Sequence, residues 1–226
     1  AEGFRQIKTG AEQANIFVAT TKNLESCPAG RWPAGLPHNR ELVIKQYTGP
    51  DGPYEFDAEH KALIRLNQAA RDRRTKMAGK IPKLHHASKS QRVIFMEFFS
   101  GKSLEDIMKS DKAVWDSLPP RRKRVYVRQV FQLVKSMHEH GVAHGDLRNF
   151  GNVFFSGPVQ DELTYIQIID FGLSVVREDR ERREGIDDDV NQCSEVMLLM
   201  LCEHDSQHEL QKNKNNPLKF ESRFSY

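Results

Sequence analysis

"HGDLRNFGNVFF" occupies residues 144–155, between a long amphipathic run and a short apolar stretch. His144, Asp146, Arg148 and Asn152 bring polar chemistry into one tight connection. Taken singly, an Asp or Asn in a loop usually does no more than cap or turn the chain. Here Leu147 anchors the loop beside Asp146, which holds the carboxylate just past the end of a helix.

Upstream, Pro119 and Pro120 open that helix, and Tyr126, Val130, Leu133, Val134 and Met137 share one side of it. Downstream, "NVFF" and "YIQIID" read as a hairpin. Asp170 closes the second strand and is followed by Phe171 and Gly172, so a carboxylate stands where a glycine bends the chain away. That placement suits a cation, although "DFG" alone is often only a turn. "FGLSVVREDRERREGI" reads as a loop, and "DDDVNQCSEVMLLML" as a buried helix with an acidic start.

The first part of the chain reads as strands: "FRQIK", "NIFVATT" and "ELVIKQY", then "IPKLHHA" and "RVIFMEFF". A helix is predicted over Glu55–Lys76, with Ala62, Leu63, Leu66, Ala69 and Ala70 at helical spacing and a basic end. "SLEDIMKS" predicts a short helix capped by Ser103, with Asp106 three residues on. In "ELVIKQY", Lys45 shares a strand face with Val43 and Tyr47, while Leu42 and Ile44 take the other. Neither face reads as solvent-exposed, so the lysine needs an anion. Glu59 lies on the apolar stripe of its helix and supplies one.

The composition is that of an ordinary globular protein: 226 residues, 38% hydrophobic, 29% charged, net charge +3. Such a balance predicts neither nucleic-acid nor membrane binding, and no stretch approaches a membrane span. Cys27, Cys193 and Cys202 lack metal-ligand spacing and read as reduced thiols, which points to a cytoplasmic or nuclear setting. A processed secretion signal would leave no trace in this sequence.

In this order the motifs resemble the protein-kinase-like fold. "LVIK" resembles the third-strand lysine motif, Glu59 its helical partner, "HGDLRNFGN" the catalytic loop, and "IDFG" the metal-binding turn. "DDDVNQCSEVMLLML" is similar to the helix whose Asp189 braces that loop, and "FMEFFSGKSLEDIM" to the hinge and the helix after it. The resemblance implies an α+β, two-lobed fold: a β-rich N-lobe with one helix over residues 1–99, and a shortened helical C-lobe over 100–226. It implies transfer of the ATP γ-phosphate to a hydroxyl, with protein Ser or Thr as the acceptor and Mg²⁺ as cofactor. Lys45, positioned by Glu59, would hold the α- and β-phosphates. Asp170 and Asn152 would bind metal, Asp146 would accept the hydroxyl proton, and Arg148 would neutralise developing charge. Met96 would be the gatekeeper, with Glu97 and Phe99 along the adenine and Gly10 in the nucleotide-covering loop.

That loop, "TGAEQANIF", has one glycine and is closer to the loop of RIO-type kinases and of the small kinase in the tRNA-threonylcarbamoylation complex. Asn152 follows Asp146 by six residues, one more than the family spacing, so Asn152, Asn149 or neither takes the metal role. Gly145 replaces the arginine that binds a phosphorylated activation loop in many relatives, and Ser174 is the sole hydroxyl residue between Phe171 and Asp188. Activation by loop phosphorylation is therefore not expected. Two other readings stand beside the active kinase: a pseudokinase serving as a binding or scaffold module, and a small-molecule phosphotransferase. A protein partner is allowed for. A nucleic-acid contact through Arg121–Arg124 is a lesser reading than a solvated face.

Overall fold

The computed structural model describes residues 4–9, 14–20, 36–37, 39–75, 77–177 and 185–201. Gly10, Cys27, Cys202 and the polar tail lie outside the described residues. Five strands, β1 (Phe4–Thr9), β2 (Ala14–Thr20), β3 (Glu41–Tyr47), β4 (Leu84–Ser88) and β5 (Val93–Glu97), form one antiparallel sheet in the order β1-β2-β3-β5-β4. Helix α1 (Gly52–Ala69) sits between β3 and β4 in the chain.

Both faces of this sheet are covered. Leu42, Ile44, Val93 and Phe95 pack with Ala19 and Leu36 on one side. On the other, Tyr47, Ile94 and Met96 join Phe56, Ala62, Leu63 and Leu66 of α1. The two-residue alternation therefore carries Lys45 to the α1 side, where it is 7% exposed.

Helix α1 departs from the expected Glu55–Lys76 at both ends. It begins at Gly52, because Pro53 fixes a helical φ in the first turn and needs no donor there. It ends at Ala69: the Asp72 carboxylate accepts the Arg74 amide at 2.9 Å and a 3-10 turn, Arg73–Thr75, follows. Arg71, Arg73 and Arg74 therefore lie past the last helical turn and not within it, and Lys76 is outside the described residues.

The helical part begins with β6 (Lys102–Ser103) and α2 (Leu104–Ser110). Ser103 Oγ accepts the Asp106 amide at 3.0 Å and Asp106 accepts the Ser103 amide at 3.2 Å, a complete capping box. Then come α3 (Lys112–Asp116), α4 (Pro120–Glu139), β7 (Val142–Ala143), β8 (Val153–Phe155), β9 (Ile166–Ile168), β10 (Val175–Val176) and α5 (Ile186–Leu201). Tyr126, Val127, Val130, Leu133, Val134 and Met137 form the buried face of α4.

Trp115, Tyr126 and Phe155 cluster with ring centroids 5.0 to 6.1 Å apart. The β6–β8–β9 sheet hangs from this cluster. A Cβ on Gly101 would come within 1.6 Å of the Phe155 carbonyl, so the chain entering β6 crosses β8 at a distance only glycine allows. The stretch after Asp170 is less irregular than its sequence suggests, since Val175–Val176 pairs with Val142–Ala143 and ties it to the end of α4.

Candidate active site

Lys45, from the middle of β3, reaches two acids. Its Nζ lies 2.8 Å from Glu59 Oε2 on α1 and 2.5 Å from Asp170 Oδ1 beyond β9. Glu59 is 1% exposed, and its carboxylate also accepts the Tyr47 hydroxyl and, at 3.3 Å, the Phe171 amide. Burial alone would lower the Lys45 pKa, but Asp170 and Glu59 outweigh it and hold the ammonium charged well above its usual range. Burial would likewise raise the Asp170 carboxyl, yet Lys45 keeps it below the ordinary value.

Asp170 has φ +65°, a left-handed conformation in which Asp is among the better-tolerated side chains. Both contacts to its carboxylate, from Lys45 and from the Gly172 amide at 3.4 Å, fall on Oδ1. That leaves Oδ2 available to a cation, and the side chain is 39% exposed.

The segment 144–152 is braced from α5. Asp189 Oδ2 accepts the His144 amide at 2.6 Å and His138 Nε2 at 2.8 Å, while Oδ1 accepts the Gly145 amide at 2.8 Å. One turn on, Gln192 Oε1 accepts the Leu147 amide at 2.6 Å and the Arg148 amide at 3.2 Å. The His144 ring is buried in the neutral Nε2–H form. Its Nδ1 accepts the Asp146 amide at 3.2 Å and its Nε2 donates to the Ile169 carbonyl at 3.0 Å. Burial lowers its pKa accordingly.

Asn152 is 3% exposed, and its Nδ2 donates to the Asp146 carbonyl at 2.9 Å and to Asp146 Oδ2 at 3.0 Å. The Asn149 side chain instead accepts the Gly151 amide at 3.1 Å and caps the 3-10 turn Phe150–Asn152. With Asn149 used as a cap, it is Asn152 that turns to Asp146. Arg148 turns outward, with Nε 3.0 Å from Glu195 Oε2 on α5 and its side chain 58% exposed.

Gly145 has φ +82°, and a Cβ there would sit 2.3 Å from the Leu173 carbonyl. Position 145 is therefore closed to any side chain, because the segment after Asp170 is laid directly on the loop. Met96 is buried in β5 opposite Val43 and Leu84, and Glu97 is tied to Lys83 through its amide at 2.9 Å. Phe99 is half-buried beyond the strand.

Sequence reading missed two members of this site. Gln192 lies inside a helix read as buried, and its place three residues after Asp189 puts it on the same face. Glu55, one turn before Glu59, is 6% exposed and lies beside the lysine cluster. A cavity of about 400 Å³ between α4 and α5 shares none of its lining with Lys45, Asp146 or Asp170.

Asp189 also sets an acid limit. Burial would raise its carboxyl, but His138 and the two amides overcome that and hold it below 3.8. The unfolded state therefore binds its proton first as pH falls, and this contribution to stability is present above 3.8 and lost on titration through the lower folded value. Urea midpoints should fall between pH 5 and about pH 3. Asp189→Asn should start lower and show a shallower fall over that range.

Among the described residues no group of three or more His, Cys, Asp or Glu is arranged to hold a metal unaided. One or two carboxylates plus phosphate oxygens and water are what Mg²⁺ ordinarily takes, and the unengaged Oδ2 of Asp170 is a donor of that kind. The sequence model of the protein kinase domain family matches residues 56–193. The KEOPS complex subunit Bud32 of Pyrococcus abyssi is 26% identical over 149 residues, which cover 66% of this chain and 59% of that protein. The chain thus spans less than two thirds of the length of that relative.

Proposed function

Because the chain belongs to the protein kinase domain family, we propose that it is an atypical kinase or ATPase that transfers the ATP γ-phosphate to a hydroxyl, with protein Ser or Thr as acceptor. The observation that carries this reading is Lys45 held at 2.8 Å by Glu59 and 2.5 Å by Asp170. A buried ammonium on a strand between two acids is a phosphate-binding cation kept in position, since a structural ion pair needs only one acid.

Lys45 binds the α- and β-phosphates and exchanges Asp170 for them. Asp170 and Asn152 would hold Mg²⁺, which when bound would supply charge neutralisation at the phosphate oxygens. Asp146 accepts the proton of the attacking hydroxyl, and the Asn152 amide fixes its orientation. Arg148 leaves Glu195, an exposed pair worth at most about 1 kcal/mol, and turns to the γ-phosphate. Met96 and the main chain over Glu97–Phe99 border the adenine, and Gly10 belongs to the covering loop. The division between lobes falls after Phe99.

A second reading, the scaffold, draws support from the relative being named as a subunit of a complex. We therefore include a protein partner in the proposal. Among the described residues no helix is long and apolar enough to cross a membrane.

Thermal shift with Mg²⁺ and ATP, followed beside γ-phosphate release, tests the reading. The wild type is expected to gain melting temperature only when both are present. Asp170→Ala should lose that gain and about a hundredfold or more of turnover. A wild type indifferent to Mg²⁺ and ATP together would sink the proposal.

A further inference from the structure

Tyr47 follows Lys45 by two residues on β3, so strand alternation puts both side chains on the same face of the sheet. Its hydroxyl donates to Glu59 Oε2, the same oxygen that takes the Lys45 ammonium at 2.8 Å. Its ring centroid lies 5.1 Å from Lys45 Nζ, within range of a cation–π contact. One buried side chain thus touches both members of the ion pair. Its own position is fixed by packing. Phe56 meets the ring edge to face at 5.9 Å, the Tyr47 amide donates to the Arg92 carbonyl at 3.0 Å, and a Cβ on Gly52 would lie 3.2 Å from the Tyr47 carbonyl carbon.

A buried phenol needs an acceptor, and a main-chain carbonyl suffices. Tyr126, the other fully buried tyrosine among the described residues, uses the Val159 carbonyl at 2.8 Å. Tyr47 instead donates to a carboxylate that already holds the Lys45 ammonium and the Phe171 amide. Charge balance does not call for this third donor, but geometry does. Lys45 is to exchange Asp170 for phosphates while Glu59 stays as its anchor. The terminal torsion of a glutamate is soft, and a rigid donor on Oε2 stops the carboxylate turning as the ammonium moves.

We propose that Tyr47 is a further positioning residue of the nucleotide site. Its hydroxyl fixes the Glu59 carboxylate, and through it the Lys45 ammonium, where the α- and β-phosphates are received. This rests on the kinase reading, which supplies the nucleotide.

Calorimetric titration with ATP and Mg²⁺, and separately with adenosine, tests it on wild type, Tyr47→Phe, Glu59→Gln and the double variant. Tyr47→Phe keeps the ring and its packing and removes only the hydroxyl. It should bind ATP with Mg²⁺ about tenfold more weakly than wild type, the worth of one hydrogen bond to a buried charge, and adenosine as tightly. A general loss of folded structure would not single out the ligand that carries phosphates. In the Glu59→Gln background the same change should have little further effect, because the hydroxyl acts through that carboxylate. A wild type that prefers ATP to adenosine, with the ratio unchanged in Tyr47→Phe, overturns this inference alone. So does a Tyr47→Phe chain that fails to fold or loses both ligands equally, since the hydroxyl would then support the fold at large. A full effect in the Glu59→Gln background overturns it as well. A wild type that binds ATP no more tightly than adenosine overturns the phosphate-binding role of Lys45 and this inference with it.

Discussion

Asp146→Asn should keep ATP and Mg²⁺ affinity within about threefold of wild type while γ-phosphate transfer falls by about a thousandfold. The substitution is nearly isosteric. The Asn152 Nδ2 contacts at 2.9 and 3.0 Å go to the main-chain carbonyl and one carboxylate oxygen, and an amide oxygen can accept in place of the latter. The loop itself is held elsewhere, by Asp189 on the His144 and Gly145 amides and by Gln192 on those of Leu147 and Arg148. Only proton acceptance is lost. Single-turnover transfer measured beside equilibrium binding separates the two. A wild type that binds ATP without turnover, unchanged by the substitution, would favour the scaffold reading.

Lys45→Met should cost about 3–5 kcal/mol of stability, or about 10 °C of melting temperature for a chain of this size. The ammonium is the charge partner of Glu59, which has 1% exposure and would be left with only the Tyr47 hydroxyl and the Phe171 amide. Burial already pushes the Glu59 carboxyl up, against the pull of Lys45. Without the lysine it rises further, so the variant should regain stability as pH falls from neutrality and Glu59 takes up a proton. The double variant Lys45→Met/Glu59→Gln should recover most of the loss in a denaturant series, because the fully buried carboxylate that lost its partner is neutralised with it. A single variant as stable as wild type at pH 7 would show that the pair is not buried in solution.

Much of this site was legible because its signals are local. Lys45 betrays itself by alternation: with Leu42 and Ile44 on one face and Val43 and Tyr47 on the other, a strand covered on both sides leaves the lysine no water to reach. The Ser103 cap and the proline-initiated α4 likewise depend on neighbours a few residues away. The ends of α1 were misread because the apolar stripe says where a helix faces, whereas Pro53 and Asp72 decide where it starts and stops. Glu55 was invisible for another reason. An acid in the first turn of a helix is ordinary dipole chemistry, and its burial appears only when Gly172 is brought against it.

The order of motifs along the chain determined the fold class, since strand and helix periods and a few caps are written in adjacent residues. Tertiary structure alone decided that Lys45 and Asp170, 125 positions apart, touch at 2.5 Å. It also decided that Asn152 and not Asn149 turns to Asp146, and that Leu173 closes the space over Gly145. Distances between segments are set by packing across the core, which acts on the folded chain as a whole and leaves no periodic trace in the sequence.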